Sequence, residues 1–499
     1  MKKLLLIPFL MLLSLPSQAA EDAFALIDAW LSAQRQYDRV PGLSAAVVQD
    51  GKTTWSAGYG LADLERGAPA RADTIYGICS ISKLFTGIAV MQLRDAGKLK
   101  LDEPLDALLP WFELEQSWTN SPPITLRGVL THSAGLPRES DYPYWMGPDF
   151  RFPTRDEVIR KLDQQATLYP AERYFQYSNL GLTLAGEIVR ERSGQDYDSY
   201  VRERILQPLG LTDTDTGFPT DARQARIATG YGFPGRNHEL RAMPRYDARA
   251  ITPAAGFAST ALDLAAFGAW QLEALAGEAD RVLAGNTLRE MQRVQWLDWD
   301  WSVARGLAFG VYRIGDRTLS GHAGDCPGFN TRLFVDPEGG TAVSVLANRN
   351  RVDVDGYAVA ILDILDAAGT PEEGEEANGF DAFAGSYDLS PWDGEDLVFR
   401  WNGGLAIVSL PTMNPTESMT LLRHVEGDRF RTIRDNGEDG HEIRFVRDAS
   451  GRIALGQEAA GLGPMPLHAV ALEVGTLVPI QPEPTHPVQD RPGVLLGRA

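Results

Sequence analysis

The chain has 499 residues, 44% of them hydrophobic and 23% charged, which is material for a large globular core and excludes a fibrous or low-complexity protein. With 47 Lys and Arg against 67 Asp and Glu the net charge is −20, so phosphate backbones and anionic membrane surfaces are repelled, and no nucleic acid partner is expected. Two cysteines and seven scattered histidines form no metal-ligand pattern, and neither a metal nor a cofactor is called for.

Lys2 and Lys3 precede an apolar run over 4–15, and Ser17-Gln18-Ala19 then places small residues at the −3 and −1 positions of an export cleavage site. A signal peptide over 1–19 is expected, with no Cys after the cut to carry a lipid. No later run reaches the roughly 18 apolar residues of a membrane span. The mature protein is therefore expected to be periplasmic or secreted, not membrane-spanning, and in an oxidising compartment.

Strand-like runs over 42–48 and 53–59 flank Asp50-Gly51, a hairpin turn signal. Apolar residues at 81, 84, 85, 88 and 91 have helical spacing, and Gly97 stops the pattern. From 100 to about 295 the chain reads as helix and loop, with helices over 156–165, 180–193 and 261–275. Strands follow over 307–314, 317–320, 329–335 and 341–347, then a helix over 352–367. The outer strands would share one antiparallel sheet, with a helical region inserted between them: an α+β architecture over 20–368. The acidic stretch 369–378 reads as a linker. Short strand-like runs over 385–389, 396–401, 404–410, 429–433, 442–447 and 453–456 make 379–475 a small all-β unit, and 476–499 is a Pro-containing tail.

Three short motifs carry chemistry. Ser80-Ile81-Ser82-Lys83 puts a hydroxyl and an amine three residues apart at a helix start, on one face, and a serine needs such a neighbouring base to become a nucleophile. The seven lysines of a chain otherwise reliant on Arg make this one conspicuous, because Lys, unlike Arg, loses its proton when buried. Tyr177-Ser178-Asn179 is the one YxN among fifteen tyrosines; the phenol can shuttle a proton, and the amide can donate to a substrate carbonyl and accept from the Lys. By itself it reads better as an Asn helix cap beside a packing Tyr. His322-Ala323-Gly324 is the one HxG, on a strand whose small residues let a substrate backbone approach.

Taken together, SxxK, YxN and HxG in this order resemble the serine β-lactamase and penicillin-binding protein superfamily, in the branch of class C β-lactamases, D,D-carboxypeptidases, D-aminopeptidases and esterases. The stretches Leu130-Thr131-His132-Ser133-Ala134-Gly135-Leu136-Pro137 and Gly256-Phe257-Ala258-Ser259-Thr260 add to the resemblance, which covers about 25–368. It implies a β-lactamase-like fold and, over 379–475, a lipocalin-like domain. It implies that Ser80 is the acyl-accepting nucleophile, Lys83 its base and Tyr177 the shared acid and base. Asn179, His322 and Gly324 would bind substrate, and the backbone N–H groups of Ser80 and Asp325 would form the oxyanion hole. Two departures matter. Most β-lactamases and carboxypeptidases have Lys where His322 stands, and the ExxLN element of class A enzymes is missing. The expected activity is therefore hydrolysis of an ester, amide or β-lactam-like small-molecule or peptide-like substrate through an acyl-serine intermediate, of peptidase or esterase type rather than efficient β-lactamase. The alternative is a slow-acylating or inactive penicillin-binding-like sensor.

Cys79 and Cys326 are the two cysteines of a chain expected to be exported. One precedes the nucleophile and the other lies two residues past Gly324, so a disulfide is expected if both motifs line one cleft. Class A carbapenemases have a similar bridge. Aromatic clusters at Tyr142, Tyr144, Trp145, Phe150 and Phe152, and at Trp296, Trp299 and Trp301, read equally as cleft lining or as core under long loops.

Overall fold

A computed structural model describes residues 18–141, 144–368, 379–389, 394–447, 453–457 and 471–472. The bulk of the expected signal peptide, the linker, the tail and Tyr142 lie outside the described residues.

Nine antiparallel strands form the central sheet. In spatial order they are Ala68–Pro69, Lys52–Asp63, Gly42–Gln49, Thr341–Ala347, Phe329–Asp336, Arg317–Cys326, Gly310–Ile314, Ala304–Arg305 and Trp296–Leu297. The amino- and carboxy-terminal strands meet at the centre, where Leu43 to Gln49 pairs with Ala347 to Thr341. Asp50 and Gly51 both take positive φ (50° and 71°), the turn that joins two twisted strands with a two-residue loop. Phe329–Asp336 is buried along its whole length. That follows from helices covering both faces, and it explains why these strands read as apolar runs rather than alternation.

One face carries the helices Ser82–Asp95 and Ala261–Ala276 and the large core of the inserted helical region. Thr260 caps the second of these by accepting from the Asp263 N–H, and Gly277 closes it at φ 85°. The other face carries Gln18–Tyr37 and Val354–Ala367. The predicted elements are present, with ends shifted by a few residues; the strand expected to stop at 320 continues to Cys326 and carries the HxG motif within it. Sequence reading missed the Gln18–Tyr37 helix, whose first turn spans the expected cut after Ala19.

The C-terminal strands form a second sheet, an eight-stranded antiparallel meander in the order Ile453–Gln457, Asp439–Arg447, Arg429–Ile433, Thr420–Glu426, Gly404–Leu410, Glu395–Trp401, Gly385–Asp388, Ala471–Leu472. Thr420–Glu426 escaped notice because only Leu422 of it is buried, so it shows no apolar alternation. Leu397, Phe399, Trp401, Val408 and Leu410 pack against the Gln18–Tyr37 and Val354–Ala367 helices, and the Trp30 indole N–H donates to the Thr412 carbonyl at 2.9 Å. The meander thus covers the sheet face opposite Ser82–Asp95.

Candidate active site

Ser80 lies in a 3₁₀ turn, Cys79–Ile81, that runs directly into Ser82–Asp95. Residues i and i+3 nearly eclipse in such a turn, so Lys83 comes to lie against Ser80, with Nζ 3.1 Å from Oγ. Cys79 and Ile81 are buried while Ser80 is half-exposed, and Cys79 takes φ 52° to present it. The turn is held from behind. Ser82 Oγ donates to the Cys79 carbonyl and accepts from the Phe257 N–H, and the Ile78 N–H donates to the Phe257 carbonyl. The stretch Gly256 to Thr260 therefore braces the turn that carries Ser80.

Lys83 is fully buried. Besides Ser80, Nζ meets the Asn179 Oδ1 at 2.7 Å and the Ala254 carbonyl at 2.8 Å. These two acceptors use both N–H groups of a neutral amine, leaving its lone pair for the Ser80 hydroxyl proton. Burial drives the Lys83 pKa well below its usual value, with the Glu139 carboxylate opposing and Arg138 and Arg305 reinforcing the shift. The amine is thereby suited to accept a proton.

Tyr177 sits in the loop before the helix Asn179–Ser193. Burial pushes its pKa up to about 12, opposed by the nearby Ser80 hydroxyl, so it stays protonated at neutral pH. Its ring lies 4.7 Å below Lys83 Nζ and 4.3 Å from the His132 ring. The helix cap is Ser178, whose Oγ accepts from the Gly181 N–H at 2.8 Å, which leaves the Asn179 side chain free to face the site.

Asn179 Nδ2 donates to Glu139 Oε1 at 2.8 Å. A carboxylate can only accept, so Glu139 sets which way the amide points and keeps Oδ1 on Lys83. Glu139 is in turn held by the Tyr144 hydroxyl and by Arg138, 3.4 Å away. Sequence reading stopped at Pro137, two residues short of it; an Arg-Glu pair directly after an apolar turn was the available signal. Glu139→Gln keeps an acceptor for Asn179 and removes the charge that raises the Lys83 pKa. The acid limb of kcat/KM is then expected to move to lower pH, read from a pH–rate profile; Glu139→Ala, which releases the amide, should also lower kcat about 10- to 100-fold.

His322 lies on the strand Arg317–Cys326 and is 5% exposed. Nδ1 meets the Ala323 carbonyl at 2.6 Å, so Nδ1 carries the proton and Nε2 presents a lone pair with no partner among the described residues. Burial, reinforced by the Arg305 charge, lowers its pKa well below the usual value. At neutral pH this side chain is an acceptor, not the cation that a Lys would supply. His132 is likewise buried and neutral; its Nδ1 accepts from the Ser178 N–H at 3.1 Å and so holds the Tyr177 loop. Ser133 is 3% exposed and bonds Thr131 Oγ1 at 2.8 Å, a structural hydroxyl.

Gly324 packs against the residue that precedes the Cys79–Ile81 turn: a Cβ there would lie 2.3 Å from the Ile78 carbonyl oxygen and 2.2 Å from Thr331 Oγ1. One residue on is Asp325, and then Cys326, disulfide-bonded to Cys79 with Cα atoms 5.7 Å apart. Ser80 and Asp325 thus lie on two segments joined by a covalent tie. Gly324→Ala is expected to cost about 1–3 kcal/mol, seen as a lower melting temperature, because backbone and not a flexible side chain must yield. Of the aromatic clusters, Tyr144 and Phe152 are 1% exposed as core, Tyr144 against Phe152 and Phe152 stacked on Tyr246, whereas Trp299 and Trp301 are 83% and 78% exposed.

The profile of the family described as Beta-lactamase matches residues 27–366, more than half of the chain. The chain belongs to this family. Its members are serine acyl-transferring hydrolases of the β-lactamase and penicillin-binding protein superfamily. Among curated proteins, Protein flp of Staphylococcus aureus is 26% identical over 335 residues, 66% of this chain and 64% of that protein. Beta-lactamase-like protein 2 of Dictyostelium discoideum is 25% identical over 321 residues, 63% of this chain and 57% of that protein. The chain thus spans 64% and 57% of the length of these two relatives, less than two thirds of each. Among solved structures, the octameric penicillin-binding protein homologue from Pyrococcus abyssi superposes with a TM-score of 0.62 at 24% identity, over 85% of this chain and 96% of that one. The D-amino acid amidase from Ochrobactrum anthropi SV3, complexed with L-phenylalanine amide, gives a TM-score of 0.55 at 25% identity, over 70% and 97%. No described helix is long and apolar enough to cross a membrane.

Proposed function

We propose that this protein hydrolyses a small or peptide-like ester or amide through an acyl-Ser80 intermediate, as a peptidase or esterase rather than an efficient β-lactamase. One observation carries the reading: a buried lysine amine whose N–H groups are both engaged by carbonyl oxygens and whose third neighbour, at 3.1 Å, is a half-exposed serine hydroxyl. Ser80 Oγ attacks the carbonyl carbon as its proton passes to Lys83. The oxyanion accepts from the N–H groups of Ser80 and Asp325. Tyr177 gives its proton to the departing amine or alkoxide, and the phenolate is stabilised by the Lys83 ammonium beside it. Water then enters, Tyr177 takes its proton, and Ser80 leaves the acyl group with the proton held on Lys83. Asn179 and the neutral His322 orient the substrate. An amidase among the structural neighbours supports an amide as the scissile group. A leader-like 1–19 and a disulfide support a location in the periplasm or outside the cell. A panel of short-chain p-nitrophenyl esters, D-amino acid amides and nitrocefin should show steady turnover of the first two classes; a stoichiometric burst without turnover would instead indicate a sensor.

A further inference from the structure

The turn over 132–138 is bonded along its length to the segment that carries Tyr177. His132 accepts from the Gln176 N–H at 2.7 Å, Ser133 from the Glu172 N–H at 2.7 Å and Gly135 from the Leu168 N–H at 2.8 Å, each through its backbone carbonyl. The Pro137 carbonyl accepts from Ser178 Oγ at 2.6 Å and the Arg138 carbonyl from the Asn179 N–H at 2.8 Å. A Cβ at Gly135, which takes φ 70°, would lie 2.1 Å from the Tyr169 carbonyl oxygen, so the two segments touch backbone to backbone.

Within this cradle His132 grips Tyr177 from three directions. Its carbonyl takes the N–H of the residue before Tyr177, and its Nδ1 takes the N–H of the residue after, Ser178, at 3.1 Å. Its ring lies on the Tyr177 ring, with centroids 4.3 Å apart and 30° between the planes, and its edge meets Phe175. The two N–H bonds fix the backbone on either side of Tyr177, and the stacked ring fixes the plane of the phenol. His132 takes φ 61°, a conformation that a residue other than Gly holds only where its surroundings impose it. It is 3% exposed, and burial keeps the ring neutral, the form in which Nδ1 can accept while Nε2 carries the proton. The phenol held in this way lies against Lys83 Nζ, 4.7 Å from its ring centroid, with its hydroxyl beside that of Ser80.

Resting on the acyl-serine reading, we propose that His132 is the positioning residue for proton transfer by Tyr177: it holds the phenol where its O–H meets the departing atom of the substrate. As the bond from the acyl carbon to the leaving oxygen breaks, the bonding pair stays on that oxygen and Tyr177 supplies its proton. The phenolate regains a proton from the Lys83 ammonium, which took it from Ser80. An alkoxide needs this proton in order to leave; p-nitrophenolate does not. A phenol released from His132 therefore slows cleavage of an alkyl ester and spares the activated one.

The test uses the full-length protein and the p-nitrophenyl and ethyl esters of one acid, which pass through the same acyl-enzyme, so kcat/KM compares their acylation alone. His132→Gly removes the ring and the acceptor and carries no strain at this φ. It should raise the preference for the p-nitrophenyl ester about 10- to 100-fold. His132→Asn, whose Oδ1 can replace Nδ1 and which tolerates positive φ, should recover part of the ethyl ester activity, and it carries the same comparison if His132→Gly does not fold. Tyr177→Phe should show the raised preference by itself, and His132→Gly added to it should change the ratio no further, because the two act as one unit. Equal loss on both esters, or an effect of His132→Gly that persists in full in Tyr177→Phe, overturns the proposal. If the ethyl ester or both esters are left uncleaved by the wild type, a crystal structure of the variant decides: a Tyr177 hydroxyl displaced from Ser80 supports the assignment and an unmoved one overturns it. Failure to cleave either ester counts against the hydrolase reading, whichever way that structure falls.

Discussion

Ser80→Ala lowers kcat for a p-nitrophenyl ester by on the order of 10⁴-fold or more, with the melting temperature nearly unchanged. The expectation rests on the half-exposed Oγ being the group that Lys83 Nζ and Tyr177 both reach. Lys83→Met should cost a similar factor, because nucleophile and base act as one unit and their losses do not add. The neighbouring hydroxyls are the internal controls. Ser82 is tied to the Cys79 carbonyl and the Phe257 N–H, and Ser133 to Thr131. Mass spectrometry after fluorophosphonate labelling should place the adduct on Ser80. An adduct on Ser82 or Ser133, or a Ser80→Ala protein that still turns over ester at the wild-type rate, would sink the mechanism.

Opening the Cys79–Cys326 bridge, whose two cysteines are buried in the large core, should cause a large loss of stability. The bridge closes a loop of 247 residues. Loop-closure entropy alone assigns such a tie about 5 kcal/mol, an upper figure, and removal of native bridges typically costs about 2–5 kcal/mol. Cys326→Ala should therefore lower the melting temperature by roughly 5–10 °C. It should also lower kcat more than KM rises, because the bridge joins the residue before Ser80 to the residue after Asp325. Thiol titration of the unfolded, unreduced protein should find no free thiol; two would refute the bridge. A variant that loses stability and keeps full kcat would show that the tie holds the fold but not the site.

The site and the fold were legible to different depths, and the particular residues show why. SxxK could be read because the i to i+3 relation is local: one turn of helix brings Ser80 and Lys83 together whatever the rest of the chain does. The Asp50-Gly51 hairpin, the helix over 261–276 closed by Thr260 and Gly277, and the alternation in the C-terminal strands are local in the same sense. Thr420–Glu426, with one buried residue, lacked the alternation and went unseen.

What the sequence by itself determined was the set of motifs, their order, and the pairing of two cysteines that had no other partners. Proton placement was decided only in three dimensions. That the Lys83 pKa falls depends on its burial, with Asn179 and Ala254 drawn from segments 96 and 171 residues away. That His322 is an acceptor depends on the Ala323 carbonyl and on Arg305 from two strands over. Glu139 and Arg305 belong to no motif and gain their meaning only from what they face. Desolvation and Coulomb interactions depend on distance through space, and the order of residues along a chain does not encode that distance.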